Sequence, residues 1–193
     1  MAIAAPAELR SLLRISEPFT EDDSATAVLL LDLALGVIEE EAGQALESAT
    51  DTLVLDGPSR QDGPYQSGTG TDRLILPRWP VTAVVSVTVD GDVLVHGRHA
   101  DYTWSAAGVL TRIGAHWPAH DRAVEAVVTA GFTTLPPGLK RIGLRLAAAA
   151  WANPEMLASE TLGDHARSFS AEALGMQLTE ADRRTIGAYR ART

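Results

Sequence analysis

Apolar positions along the 193-residue chain change period twice, from helical to alternating and back to helical. Pro6 suits a first helical turn, and Leu9, Leu12 and Leu13 form one apolar face, which predicts a short helix over 6–15. Ser16-Glu17-Pro18 breaks it. Thr20 reads as an N-cap, with Glu21, Asp22 and Asp23 in the first turn where the helix dipole favours acids. The helix that follows is predicted over 21–42. Val28, Leu31, Leu35, Ile38 and Ala42 form one apolar face, and Leu29, Leu30, Leu33 and Val37 form a second. A helix apolar around most of its circumference is either central to a core or shared with another subunit.

From Ala49 the pattern turns to β. Strands are predicted at Thr52–Leu55, Arg73–Leu76, Ala83–Val89, Val93–Val95, Tyr102–Trp104, Val109–Ile113 and Val124–Thr129. Asp90-Gly91 reads as a two-residue hairpin turn, and Ala106-Ala107-Gly108 as a second turn. Residues 57–71 form a long polar loop, of a length that in compact domains is usually functional or disordered. Pro77-Arg78-Trp79-Pro80 interrupts the ladder. Short strands joined in order by tight turns imply an antiparallel meander rather than a parallel crossover sheet.

Pro136-Pro137 opens a helix predicted through Ala152. Leu139, Ile142, Leu146 and Ala149 share one side, and Gly143, Ala147 and Ala150 form a strip of small residues that permits close approach of a neighbour. Asn153-Pro154 ends the helix. Residues 158–172 lack periodicity and read as an extended arm. Thr179 caps a last amphipathic helix predicted over 180–190. The expected fold class is α+β. It has a helical core of two N-terminal helices and a long helix in the C-terminal half, an inserted antiparallel β meander over 49–132, and a C-terminal arm. Residues 1–157 form the expected main domain, and 158–193 the arm with its terminal helix.

Composition adds exclusions. There are no cysteines, so disulfides, thiolate nucleophiles and cysteine-ligated zinc are excluded. The 46% hydrophobic and 21% charged content excludes bulk disorder. No basic, apolar leader pattern is read at the N-terminus, and the longest apolar run, Ala25–Ile38, contains Asp32 and is too short to span a bilayer. No membrane partner is expected. The net charge of −9 makes general nucleic-acid affinity poor, because such affinity comes mainly from neutralising phosphates. The charge is uneven: residues 1–62 carry thirteen acids and three bases, whereas 139–193 carry six acids and eight bases. An acidic front and a basic back suggest head-to-tail contacts between copies, or a basic tail meeting an acidic partner.

Candidate chemistry is sparse. His116 and His120 stand at i, i+4, but Pro118 lies between them, so they do not share a helix face as a zinc pair must. A Ser-His-Asp set has no G-x-S-x-G elbow to present it. Gly63 to Gly70 lacks the Lys-Ser/Thr ending of a phosphate-binding loop. No cofactor or metal is expected. Glu39, Glu40 and Glu41 lie at a helix C-terminus, and Lys140, Arg141 and Arg145 near a helix start, each against its dipole. They read either as solvated charge or as patches awaiting partners of opposite sign.

The succession Leu76-Pro77-Arg78-Trp79-Pro80, Val87-Thr88-Val89-Asp90-Gly91 and Tyr102-Thr103-Trp104 with Gly108-Val109-Leu110 resembles head–tail connector (adaptor) proteins of tailed bacteriophages. The later Val127-Val128-Thr129-Ala130-Gly131-Phe132, Pro136-Pro137-Gly138-Leu139-Lys140, Trp151-Ala152-Asn153-Pro154 and Ser159-Glu160-Thr161-Leu162-Gly163-Asp164 fit the same pattern, which spans about residues 5–170. The resemblance implies a non-enzymatic virion protein, made in the host cytoplasm. It forms a ring, commonly twelve-fold, beneath the portal, extends the DNA channel with passing contact to duplex DNA, and joins the head to the next head-completion (stopper) or tail protein. Arginine supplies fifteen of the sixteen basic residues, which fits a GC-rich phage, prophage or gene transfer agent. On this reading Glu39, Glu40 and Glu41 meet Arg141 and Arg145 of a neighbouring subunit. Arg167 and Phe169 of the arm contact the portal, and Arg60 and Tyr65 of the long loop face the tail side. Two other readings are a small α+β metal-dependent hydrolase using His116 and His120, and a DNA-binding module using the basic tail.

Overall fold

The computed structural model describes residues 3–57, 71–154, 159–162, 165–168 and 176–191. The chain divides into two compact units, one built from residues 1–44 and 134–190, the other mainly from 45–133. The first is helical around a buried apolar centre, and the second is all β.

In the helical unit, α1 spans Pro6–Leu12, α2 Glu21–Ala42, α3 Pro137–Ala152 and α4 Glu180–Gly187. Sequence-local chemistry sets the ends. The Thr20 hydroxyl accepts from the Asp23 amide at 3.1 Å, and the Asp23 carboxylate accepts from the Thr20 amide at 3.1 Å, closing a capping box. Thr179 and Asp182 repeat the device at α4, and Glu8 accepts from the Ala5 amide at α1. Gly43, at φ 65°, ends α2 in the left-handed conformation that glycine adopts without a Cβ clash. Helix α3 opens on Pro137 at its first position, where a missing N–H costs no hydrogen bond.

Helix α2 buries one face, Ala27, Leu31, Ala34, Ile38 and Ala42. The register differs from the expected one: Ala27 and Ala34 take the inward places assigned to Val28 and Leu35. Val28, Leu29 and Leu33 are 43%, 58% and 51% exposed. Small alanines thus alternate with Leu31 and Ile38 on the buried face, while Val28, Leu29 and Leu33 turn outward. Helix α3 buries Leu139, Ile142, Gly143, Leu146 and Ala147. At Gly143 its small strip receives a side chain, for a Cβ there would collide with Ile3, whose Cγ1 would lie 3.0 Å away. Phe19 stacks on Trp151 with centroids 4.9 Å apart and ring planes 15° from parallel.

The β unit holds β1 Ala49–Leu55, β2 Arg73–Ile75, β3 Val81–Val89, β4 Asp92–Val93, β5 Tyr102–Ser105, β6 Val109–Arg112 and β7 Val124–Ala130. Every named pairing is antiparallel, as expected, but the order is not that of a simple meander. One sheet runs β1-β7-β3-β4 and the other β2-β6-β5. The last strand sits centrally because it alternates fully, with Val124, Ala126, Val128 and Ala130 inward. Both tight turns are where the sequence places them. Asp90 and Gly91 take φ 51° and 91°, the pair that a type I′ hairpin demands, and Gly108 closes the second turn at φ 79°. One apolar cluster serves both sheets, with Leu74, Val87, Tyr102, Leu110, Trp117 and Val128 among its members.

The Pro77–Pro80 interruption has a structural occupant. Arg78 pairs with Asp51, and its Nη2 donates to the carbonyls of Glu47 at 2.7 Å and Ala130 at 3.3 Å. It thereby ties the entry of β1 to the exit of β7. Trp79 meets Phe132 edge to face, and the Trp79–Pro80 peptide is cis. In the region expected as an extended arm, β8 Ser159–Leu162 pairs antiparallel with β9 His165–Ser168. These strands lack the β-branched alternation that announces a strand, so their pairing is legible only in the backbone.

Two substitutions test the helical packing in opposite directions. Gly143→Leu is expected to lower stability by about 1–3 kcal/mol, because Ile3 fills the space. Gly36→Ala is expected to raise it by up to about 1 kcal/mol, because a Cβ there meets nothing within 4 Å and alanine is the better helix former. Thermal or urea melts read both, and a neutral Gly143→Leu would show the strip to be open.

Acid is expected to act on the helical unit through its caps. Glu8, Asp23 and Asp182 all have pKa values below the ordinary carboxylate range. The Lys140 hydrogen bond dominates at Glu8, and the Thr20 hydroxyl at Asp23. At Asp182 burial pushes upward, but the Thr179 hydrogen bonds and the Arg145 and Arg141 charges outweigh it. A depressed folded-state pKa means stability that is present above the unfolded value, about 4, and lost as pH falls through the folded value. Far-UV circular dichroism should therefore show helix melting more easily below about pH 4. Thermal stability that is unchanged down to about pH 2 would contradict this.

Candidate functional site

The residues with most to offer a partner lie on α2 and α3 of the helical unit. Helix α2 carries seven acids and no base; α3 carries three bases and no acid. The two helices pack together, yet no ion pair joins them. Three of those charges are taken up elsewhere. Lys140 Nζ donates to Glu8 at 2.6 Å. Arg145 Nη2 donates at 2.6 Å to Asp182, whose side chain is only 5% exposed. Glu41 pairs with Arg190 and lies 3.8 Å from Arg183.

The five charges expected at a subunit interface therefore stand differently. Arg145 and Glu41 hold α4 within their own chain. Glu39 is half-buried, while Glu40 and Arg141 are exposed and make no ion pair among the described residues. The partners Asp182 and Arg190 carried no interface expectation. The sequence marks Thr179 as the cap without Asp182, and it places Arg190 inside a helix expected over 180–190, which instead ends at Gly187. Phe169, Arg60 and Tyr65 lie outside the described residues, as does the side chain of Arg167, whose backbone belongs to β9.

Beside Arg141 runs an apolar groove of about 570 Å³, floored by Leu12, Leu144 and Ala148 and rimmed by Lys140, Arg141 and Arg145. A second groove of about 370 Å³ lies where Leu30, Leu33 and Val37 of α2 face Trp151, Pro154 and Met176. Neither has the convergent polar groups that orient a small substrate.

The histidine pair does not form a centre. His116 is exposed, and the next residue, Trp117, turns inward, donating its Nε1 to the Asp72 carbonyl at 3.1 Å. His120 lies 3.3 Å from Asp90. Its pKa is raised, first by the Asp121 carbonyl and then by the Asp90 carboxylate. No group of three or more His, Asp or Glu side chains suited to a metal occurs among the described residues. Among the described residues no helix is long and apolar enough to cross a membrane.

No protein-family model matches the chain, and no curated protein does. Solved structures do. The chain is similar to the neck of an empty gene transfer agent particle determined with C6 symmetry, at TM-score 0.56 and 22% identity, over 99% of this chain and 91% of that one. It is similar to the neck of a native particle with C12 symmetry, at TM-score 0.54 and 23% identity over 97% and 88%. It also matches a chain of the native gene transfer agent virion, at TM-score 0.56 and 19% identity over 99% and 91%. The likeness is one of fold, and its span takes in both the helical and the β unit.

Arg141 and Arg145 are expected to separate on mutation. Arg145→Ala strands the buried Asp182 carboxylate and should cost about 1–3 kcal/mol. Arg141→Ala removes an exposed charge and should stay within about 0.5 kcal/mol of wild type. Urea melts of the two variants make the comparison; equal losses would contradict the assignment.

Proposed function

We propose that this chain is a structural protein of the neck of a phage-like particle, a head–tail connector (adaptor). Twelve copies form a ring beneath the portal, extend the DNA channel and join the head to the next head-completion or tail protein. The observation that carries this is the fold likeness to the gene transfer agent necks over nearly the whole chain. The rotational symmetry of those necks supports a ring here. A ring of one chain needs heterologous contacts, in which one surface meets a different one on the neighbour. An acid-only α2 and a base-only α3 on one molecule supply such a pair, with Glu39 and Glu40 on its acidic side and Arg141 on its basic side. Glu41 and Arg145 support that surface from within. An acidic chain also suits a channel through which DNA slides without adhering. Arg167 and Phe169 are assigned to the portal, and Arg60 and Tyr65 to the tail side. Assembly takes place in the host cytoplasm and the mature location is the virion. We assign no enzymatic activity, and no observation favours the hydrolase or the DNA-binding module.

Deleting the gene tests the role. Heads should fill with DNA but fail to join tails, and expression in trans should restore joining, as electron microscopy of purified particles would show. Normal tailed particles lacking this chain would overturn the proposal. For the portal contact, Phe169→Ala with Arg167→Ala should lose retention on portal rings. Wild-type retention would remove that assignment alone.

A further inference from the structure

The outer face of α2 is unusual for a surface. Leu29 and Leu33, the latter also lining the second groove, stand exposed one turn apart, and Gly36 follows on the same face. A Cβ on Gly36 would meet nothing within 4 Å, so no neighbour among the described residues requires a glycine there. A glycine inside a helix weakens it, and one beside two exposed leucines leaves room for a close approach from outside. Asp32 and Glu40 flank this stripe, exposed and without ion-pair partners among the described residues. The α1–α3 groove has the converse character: an apolar floor of Leu12, Leu144 and Ala148, and at its rim one cation, Arg141, that makes no ion pair among the described residues.

We infer that the α1–α3 groove of one copy receives the outer face of α2 from the next copy. Leu29 and Leu33 lie on the groove floor, Gly36 permits close helix approach, and Asp32 pairs with Arg141. The occupant is a second copy because the same molecule carries both an anion and a cation that make no ion pair among the described residues, each beside exposed apolar side chains. Stripe and groove are different surfaces, so every copy offers one and accepts one, and the contact propagates until it closes into a ring. The inference rests on the neck reading and specifies its subunit interface.

The absence of cysteine from the chain gives a clean test. Full-length Leu12→Cys and Leu33→Cys chains are assembled into particles separately, together, and as a double variant in one chain. The particles are purified, oxidised and run on non-reducing gels. Each single variant alone should stay monomeric, the co-assembled pair should give a dimer, and the double variant a ladder of multimers. Dimers from Leu33→Cys alone would mean that α2 meets α2 and would overturn the inference. So would a Leu12→Cys adduct with a different particle protein, or no cross-link in particles that contain the chain. The last result leaves the neck reading standing, whereas particles that never contain the chain overturn both. In parallel, Asp32→Arg and Arg141→Asp should each reduce cross-linking in the Leu12→Cys/Leu33→Cys background by about tenfold or more, and their combination should restore it. Gly36→Leu should abolish cross-linking while the free chain melts at or above the wild-type temperature. Undiminished cross-linking with Gly36→Leu, or no rescue by the charge exchange, would also overturn the inference.

Discussion

The Asp182 carboxylate is the interaction on which the helical unit turns. It accepts from the Thr179 amide and hydroxyl at 2.9 and 2.6 Å, capping α4, and from Arg145 of α3 at 2.6 Å. A charge this buried is tolerated only when it is paired and hydrogen-bonded; here Oδ2 takes all three bonds, and each also solves another problem. The cap satisfies α4, and the arginine ties α4 to α3. The far end of α4 is tied to α2, where Glu41 meets Arg190 and the Gln44 amide donates to the Tyr189 carbonyl at 2.7 Å. The last helix is thus a clamp across the two charged helices.

That clamp decides which charges remain for a partner. Without α4, the C-terminal acids of α2 and the bases of α3 would be an undifferentiated pair of patches, each opposed to its helix dipole. With it, Glu41 and Arg145 become internal. Among the charges left outward, which also include Glu21 and Asp22 at the start of α2, Asp32 and Glu40 on one surface and Arg141 on another stand beside exposed apolar side chains. Surface charge alone is worth little to association, but charge bordering uncovered apolar surface sets register and orientation.

The β unit rests on a different device. Its central strand is the last to be made, so β7 must be received by strands formed long before it in the sequence. Arg78 holds the entry of β1 and the exit of β7 through two carbonyls and Asp51. Gly131 serves the same junction: at φ 106° its missing Cβ leaves room for the Glu47 carbonyl carbon, 2.7 Å from where that atom would stand. The sequence marks Pro77–Pro80 only as a break in a ladder. The break is where a cationic staple enters.

The sequence by itself determined the elements whose causes are local. Helices 21–42 and 137–152 begin and end where read, because Thr20, Gly43, the proline pair and Asn153-Pro154 act within one turn of themselves. The two tight turns were equally legible, since positive φ at Gly91 and Gly108 is a property of the residue. The α+β class followed from the change of period alone. Tertiary structure decided everything that depends on what lies opposite. Ala27 and Ala34 face inward instead of Val28 and Leu35 because the elements packed on α2 set its rotation, and no local pattern records them. The strand order β1-β7-β3-β4 depends on pairings between residues far apart in the chain, which periodicity does not encode. Of five charges that looked alike along the chain, two became internal because α4 folds back on them. Charge and apolarity are written residue by residue, whereas the partner that neutralises or covers each one is a fact of three-dimensional proximity.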